Sequence, residues 1–344
     1  MTNGPVHVSV FGKTDLGRSR DHNEDTFLVA DLSTGKASLQ PDVREHELGP
    51  RGSLFMVADG MGGAAAGEIA SAMAADMICR HLMDTWRTDP ENTPERFAFR
   101  MKEAVELANG ELFTYAREHP EVRGMGTTVT AAGVYRADLY VTQIGDSRAY
   151  LVRDGHASQL TRDQSLTQRL VDAGELTEEE AEHSERRNII LQALGPDAHV
   201  KVDLSHQPLR QNDVLVICSD GLSGLVKREE IGEMVGRHEA LADVCGALID
   251  LANERGGPDN ITVIAARFRG EGLEPSDGEA HVGYRTFAMD PADVSGEVTS
   301  PVEAMPEPIA PGVVAPTGAG IRPATLVMLA VGFVILALFL LFVL

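Results

Sequence analysis

Leu54-Phe55-Met56-Val57-Ala58-Asp59-Gly60-Met61-Gly62-Gly63 is the stretch on which the fold turns. The apolar run 54–58 reads as a strand. Asp59 closes the run, and a segment of little side-chain bulk separates it from a helical pattern that starts near residue 65. A carboxylate at such a strand end is held in place yet open to a ligand, and small residues after it let backbone carbonyls and water approach a cation. Hard ions such as Mg²⁺ and Mn²⁺ prefer oxygen ligands of this kind. Taken alone, an Asp-Gly pair more often marks an ordinary turn.

The same device recurs along the chain. The run 214–218 leads into Ser219-Asp220-Gly221, Asp259-Asn260 precedes the run 261–264, and Asp146 ends the run 140–145. Asn23-Glu24-Asp25 enters a further strand. If these strands are neighbours, their acids gather at the sheet rims. Such a cluster cannot stay ionised without cations, because like charges in one site raise one another's pKa.

Around these runs, residues 6–269 read as one mixed domain of strands and helices, and no internal repeat is present. Strands are expected over 6–11, 25–29, 54–58, 127–134, 139–144, 148–152, 214–218 and 261–268. Arg153-Asp154-Gly155-His156 carries the Asp-Gly pair of a two-residue hairpin turn, so antiparallel pairing is expected. Apolar residues at three-and-four spacing predict helices over 65–86 and 94–119 that cover a sheet face. Thr177-Glu178-Glu179-Glu180 has capping-box spacing for a short helix, and residues 163–195, poor in strand signals, read as a flap.

Of the 344 residues, 52 are acidic and 30 basic, a net charge of -22 that repels a phosphate backbone, so nucleic acid is not an expected partner. Cys79, Cys218 and Cys245 lie far apart without a CxxC pair and read as reduced buried thiols. From Gly270 to Arg322 the composition turns to Pro, Gly, Ala and acidic residues, with Arg285 the one cation between them, which predicts a flexible acidic linker over 271–322. Residues 324–344 carry no charge, and a helix of that length spans about 30 Å of hydrocarbon. A transmembrane helix over 323–344 is therefore expected, with Arg322 on its near side and a catalytic domain over 1–270 in the cytoplasm, since the N-terminus has no signal-peptide pattern. The expected localisation is a single-pass protein of the cell membrane.

In order and spacing, Arg20-Asp21-His22-Asn23-Glu24-Asp25, Asp59-Gly60-Met61-Gly62-Gly63, Gly126-Thr127-Thr128, Gly145-Asp146-Ser147-Arg148, Ser219-Asp220-Gly221 and Asp259-Asn260 are similar to the motifs of the metal-dependent protein phosphatases (PPM, or protein phosphatase 2C) in their compact bacterial form. The resemblance implies an α+β fold, a four-layer α-β-β-α sandwich of two mainly antiparallel sheets flanked by helices. It implies two Mn²⁺ or Mg²⁺ ions, with Asp59 bridging both, the Gly60 carbonyl on one, and Asp220 and Asp259 on the other. Asp25 and Glu24 belong to the inner or outer shell of that centre without being separable from sequence, and Asp146 with Asp220 resembles the ligands of a third, weaker site. Arg20 is expected to hold the substrate phosphate. The implied reaction is direct hydrolysis by a metal-activated water, without a phospho-enzyme. Met61 stands where many eukaryotic members carry a His, so a side-chain general acid is not expected there.

Other residues divide between structural and functional readings. Arg148 is expected to order the site through a carboxylate, and Gly126-Thr127-Thr128 to pack strands behind the metals. Isolated histidines such as His22 and His183 are more often surface residues than catalytic ones. A cysteine phosphatase needs an Arg six residues after its thiolate, where this chain has Thr85, Gly224 and Leu251, and Gly12-Lys13-Thr14 lacks the first Gly of a P-loop. The competing reading is a membrane-tethered adaptor that keeps the fold without turnover, and intact Asp59, Asp220 and Asp259 weigh against it. The expected substrates are phosphoserine and phosphothreonine proteins, membrane Ser/Thr kinases among them, met by a monomeric catalytic domain.

Overall fold

A computed structural model of the chain describes residues 4–38, 44–276, 278 and 281–289. The decisive stretch is a strand, β5 (Ser53–Met61), in the middle of a sheet. Its side chains alternate between two cores, as the period of two along a strand requires. Phe55 and Val57 point into one apolar layer, and Leu54, Met56 and Ala58 into another. Burial on both faces is why the run is continuously apolar rather than alternating.

Two sheets stack across the layer that holds Phe55 and Val57. One contains β1 (His7–Asp15), β4 (Arg44–Glu47), β9 (Arg148–Arg153), β10 (His156–Gln159), β12 (Val214–Cys218) and β13 (Ile261–Arg269) in the order β10-β9-β12-β13-β1-β4. The other runs β11 (Asp203–Pro208), β8 (Asp138–Ile144), β7 (Val129–Tyr135), β5, β2 (Asp25–Asp31), β3 (Lys36–Ser38), with β6 (Gly126–Thr127) paired to the end of β5. Every ladder between these strands is antiparallel. The Asp154-Gly155 turn joins β9 to β10 with both residues at positive φ, 51° and 80°, the two-residue hairpin its sequence predicts.

Helices α1 (Ala64–Asp84) and α2 (Pro94–Glu118) cover the sheet that contains β5. Ala66, Ala70 and Ala74 lie buried along one stripe of α1, so the helix settles closely on Leu54, Met56 and Ala58. Thr93 caps α2, its hydroxyl accepting from the Arg96 amide at 3.1 Å, with Pro94 in the first turn. The other sheet is covered by α6 (Arg228–Arg237) and α7 (Leu241–Glu254), which pack Ile231, Val235, Val244 and Leu248 onto Val214, Val216, Val263 and Ala265. The α-β-β-α layering is thus present in full. Residues 163–195 carry two short helices, α3 (Leu166–Asp172) and α4 (Glu178–Glu182), and Thr177 forms the capping box its spacing predicts. Its two ends are tied together where the Leu191 amide donates to Gln164 at 2.7 Å and the Leu166 amide to Ile189 at 2.9 Å. Between β12 and α6 lies the one-turn helix α5 (Asp220–Ser223).

Of the linker expected over 271–322, several described residues pack on the domain. Leu273 is buried, the Gly272 amide donates to Pro5, and residues 285–287 pair with the edge strand β11 through His206 N–H to Arg285 O and Phe287 N–H to Leu204 O. Phe287 stands edge-on to Tyr140 at 5.4 Å, and Met289 packs on the same core. Residues 272–273 and 285–289 are therefore docked on the domain. Among the described residues no helix is long and apolar enough to cross a membrane, and the expected span over 323–344 lies outside them, as does the linker from residue 290 onward.

Candidate active site

Antiparallel register sets Asp25, the first residue of β2, directly opposite Asp59 near the end of β5. The Asp59 backbone is gripped from the neighbouring motif. Its amide donates to the Thr128 hydroxyl at 3.1 Å, and its carbonyl accepts from the Thr128 amide at 2.8 Å and the Thr127 hydroxyl at 2.9 Å. Thr128 is itself bonded to the Ser147 hydroxyl at 2.7 Å. Gly126-Thr127-Thr128 and Gly145-Asp146-Ser147-Arg148 therefore hold the strand end that carries Asp59.

Gly60 follows at a place where two backbones meet. Its amide donates to the Glu24 carbonyl at 3.1 Å, and a Cβ on it would lie 2.1 Å from the Gly67 carbonyl oxygen and 2.5 Å from that of Glu24. Only glycine fits. Gly62 and Gly63 then turn the chain into α1 with φ of 119° and 93°.

Asp220 opens α5 immediately after β12, Asp259 lies one residue before β13's approach at Asn260, and Asp146 sits just past β8, so all are at the same rim of the sandwich as Asp59. Burial, with the carboxylates of Asp25, Asp220, Asp146 and Asp259 next in order, pushes the Asp59 carboxyl well above the usual range. Burial likewise raises Asp25 to about 7, although the Thr262 and Ser219 hydroxyls oppose the rise, the latter donating at 2.8 Å. Asp146 is raised to about 7 by burial and by Asp220. Asp220 is raised by burial and Asp259, while a hydrogen bond to Asp59 holds it back. The predicted cluster therefore exists, and its members repel.

The fit to cations rests on this donor set. One carboxylate oxygen of Asp146 and one of Asp220 are buried without any hydrogen-bond partner, an expensive arrangement that a bound cation would relieve. Among the described residues no three His, Cys, Asp or Glu side chains close tightly enough to cage an ion alone, so the shell would be completed by backbone carbonyls and water, the ordinary habit of Mg²⁺.

Glu24 and Asp25, inseparable in sequence, are distinct in space. Asp25 faces Asp59 and Ser219, whereas the Glu24 carboxyl lies over Gly67 in the first turns of α1, where a Cβ on that glycine would lie 2.8 Å from it. Arg20 stands at the mouth, donating to Asp259 at 2.8 Å, with both side chains partly exposed. Arg148 pairs with the largely buried Asp163 through bonds of 2.6 to 3.0 Å, and its charge also bears on Asp146 and Asp220. His183 is exposed and bonds the Glu179 carbonyl, and His22 is exposed with its carbonyl held by Asn260. The three cysteines are buried and free.

Asn260 does more than its place beside Asp259 implied. Its amide nitrogen donates to the carbonyls of Leu16 at 3.1 Å and His22 at 3.0 Å, while its side-chain oxygen accepts from the Glu24 amide at 2.9 Å. It thereby binds both ends of the loop that bears Arg20. No sequence signal short of the three-dimensional contact marks that role.

Residues 38–261 match the family model described as Protein phosphatase 2C. The serine/threonine phosphatase stp of Listeria monocytogenes is 37% identical over 253 residues, which is 73% of this chain and 92% of that protein. The crystal structure of the Mycobacterium tuberculosis serine/threonine phosphatase PstP/Ppp superposes with a TM-score of 0.63 at 34% identity, covering 78% of this chain and 99% of that one. A structure of the PstP catalytic domain in complex with two manganese ions gives 0.62 at 33% identity, over 77% of this chain and 99% of that one.

Proposed function

The chain belongs to the protein phosphatase 2C family, and we infer from that membership and from its acid cluster how it acts on phosphoserine and phosphothreonine. It is a metal-dependent protein-serine/threonine phosphatase. Asp59, the Gly60 carbonyl, Asp220 and Asp259 are the groups that would hold the Mn²⁺ or Mg²⁺ ions, with water and backbone carbonyls completing their shells. Asp25 backs the pair from across the β2–β5 ladder, and Asp146 with Asp220 offers a third, weaker site. Glu24 acts from outside the pair, through its carbonyl on Gly60 and its carboxyl beside α1.

When bound, the ions supply an acidified water as nucleophile and neutralise charge on the phosphate oxygens. The chain's own residues do the rest. Thr127 and Thr128 fix the Asp59 backbone and so the place from which its carboxylate reaches the site. Arg20 pairs with Asp259 when nothing else claims it, and a phosphate at the mouth gives its guanidinium a better partner. Met61 supplies no proton, so the leaving serine or threonine oxygen takes its proton from solvent at the site.

The single observation that carries this reading is the pair of orphaned carboxylate oxygens on Asp146 and Asp220 within a mutually repelling cluster. Hydrolysis of p-nitrophenyl phosphate and of a phosphothreonine peptide by the full chain tests it. Turnover is expected with Mn²⁺, is abolished by EDTA, and falls by about 100-fold or more in Asp59→Asn. Turnover that survives either change contradicts it, and a well-folded chain that binds Mn²⁺ without turnover favours the adaptor.

The physiological setting proposed is the inner face of the cell membrane, with residues 323–344 as a single span and the stretch after residue 289 as its tether. The support is the uncharged sequence of 324–344. Membrane Ser/Thr kinases are fitting substrates there because both proteins would share one surface.

A further inference from the structure

We propose that Arg18 is a specificity-determining residue that reads an acidic side chain, or a second phosphate, close to the phosphorylated residue of the substrate. The proposal rests on the phosphatase reading above, in which Arg20 takes the phosphate being removed.

The loop between β1 and β2 is built to be rigid. The Arg18 amide donates to the Gly257 carbonyl at 2.7 Å, and the Gly17 amide to the Asp15 carboxylate at 2.9 Å. That carboxylate also accepts from the Asn253 side chain at 3.0 Å, and Asn260 grips Leu16 and His22. Gly17 has a φ of 75°, and a Cβ on it would stand 2.1 Å from the Asp259 carbonyl oxygen, so the loop lies hard against the segment that carries Asp259. A loop so tethered presents its backbone in a set place, so that binding orders the Arg18 side chain and little else.

The loop carries two cations, Arg18 and Arg20, and two acids, Asp21 and Glu24, and Arg20 is paired with Asp259. Arg18 is exposed, and among the described residues no carboxylate pairs with it. Arg96, Arg100, Arg148 and Arg153, by contrast, are matched to acids and are not free to meet a ligand. Two peptide steps of about 3.8 Å put the Arg18 and Arg20 Cα atoms no more than about 7.6 Å apart. An extended substrate advances about 3.3 Å per residue, so a group two positions from the phosphorylated residue falls beside Arg18 when the phosphate is on Arg20. A guanidinium at that place favours carboxylate or phosphate and rejects lysine.

The test uses the full chain with Mn²⁺ and phosphothreonine peptides that differ only two positions before or after the phosphothreonine, bearing Glu, Gln or Lys. The readout is a ratio of kcat/KM between peptides on one preparation, so a loss of folded protein cancels. Wild type is expected to favour Glu over Gln by about three- to tenfold on one side, and the preference should shrink as salt rises. Arg18→Gln should bring the ratio to about one, Arg18→Lys should keep most of it, and Arg18→Glu should turn the preference to the Lys peptide. Equal turnover of the Glu and Gln peptides by wild type on both sides overturns the proposal, as does an unchanged ratio in Arg18→Gln. Failure to hydrolyse any peptide while p-nitrophenyl phosphate is turned over would instead sink the protein-phosphatase reading on which it stands.

Discussion

Asp59 is held through its backbone by Thr127 and Thr128, while its side chain faces the other carboxylates of the rim. Thr128 is the residue that makes it possible, since one buried hydroxyl meets both the Asp59 amide and Ser147. Thr128→Val leaves these groups short of a partner, at a cost of about 1–3 kcal/mol. The expected outcome is a lower melting temperature together with a higher Mn²⁺ concentration for half-maximal activity; unchanged Mn²⁺ dependence would show that the grip does not position Asp59. The carboxylates also set the response to pH. Asp25 and Asp146 are raised from 3.8 to about 7 in the ion-free fold, so the folded state binds more protons than the unfolded chain across that interval. In EDTA the stability these protons bring is complete below about pH 4 and is lost as pH rises through 7. With Mn²⁺ the ionised forms are needed, and the trend should reverse. Thermal melts at a series of pH values with and without the ion check the sign; parallel profiles would contradict it. At this scale the sequence was legible where an acid closes an apolar run, as at Asp59 and Asp220. It was silent on Asn260, whose role lies in contacts with residues more than two hundred positions away.

Elements were legible in proportion to how deeply they are buried. The strands around β5, β12 and β13 have both faces covered and announce themselves as apolar runs. The edge strands β3, β4 and β11, reading Lys-Ala-Ser, Arg-Glu-His-Glu and Asp-Leu-Ser-His-Gln-Pro, expose one side and have no such signal. Helices α6 and α7 were not anticipated from their own residues, although Val244, Leu248 and Ile249 repeat at helical spacing. Gly232 and Gly236 in α6 and Gly246 in α7 weaken the local preference, and packing on the sheet overrides it. The docked stretch around residue 287 was hidden for the same reason: its composition is that of a linker, and one aromatic residue anchors it. Phe287→Ala removes the ring set against Tyr140 and His206 and is expected to cost about 1–3 kcal/mol, read as a lower melting temperature of the full chain. A melt indistinguishable from wild type would mean the segment rests on the edge without stabilising it.

For the molecule as a whole, the two stacked sheets act as a frame that delivers acids from five separate strands to one rim. The net charge of -22 makes that rim more demanding of cations. The uncharged residues 324–344 give a prediction of the same reach: the full chain should sediment with membranes and resist extraction by salt, and a chain ending at 322 should not. Recovery of the full chain in the salt-washed supernatant would remove the proposed anchor while leaving the chemistry intact. The account depends most on Asp59 and its neighbours holding the metal pair, and Mn²⁺ binding reads this directly. Calorimetric titration of the metal-stripped full chain should give two ions per chain, and Asp59→Asn, still folded by circular dichroism, should lose both or bind them far more weakly. Two ions bound with undiminished affinity by Asp59→Asn would contradict the assignment.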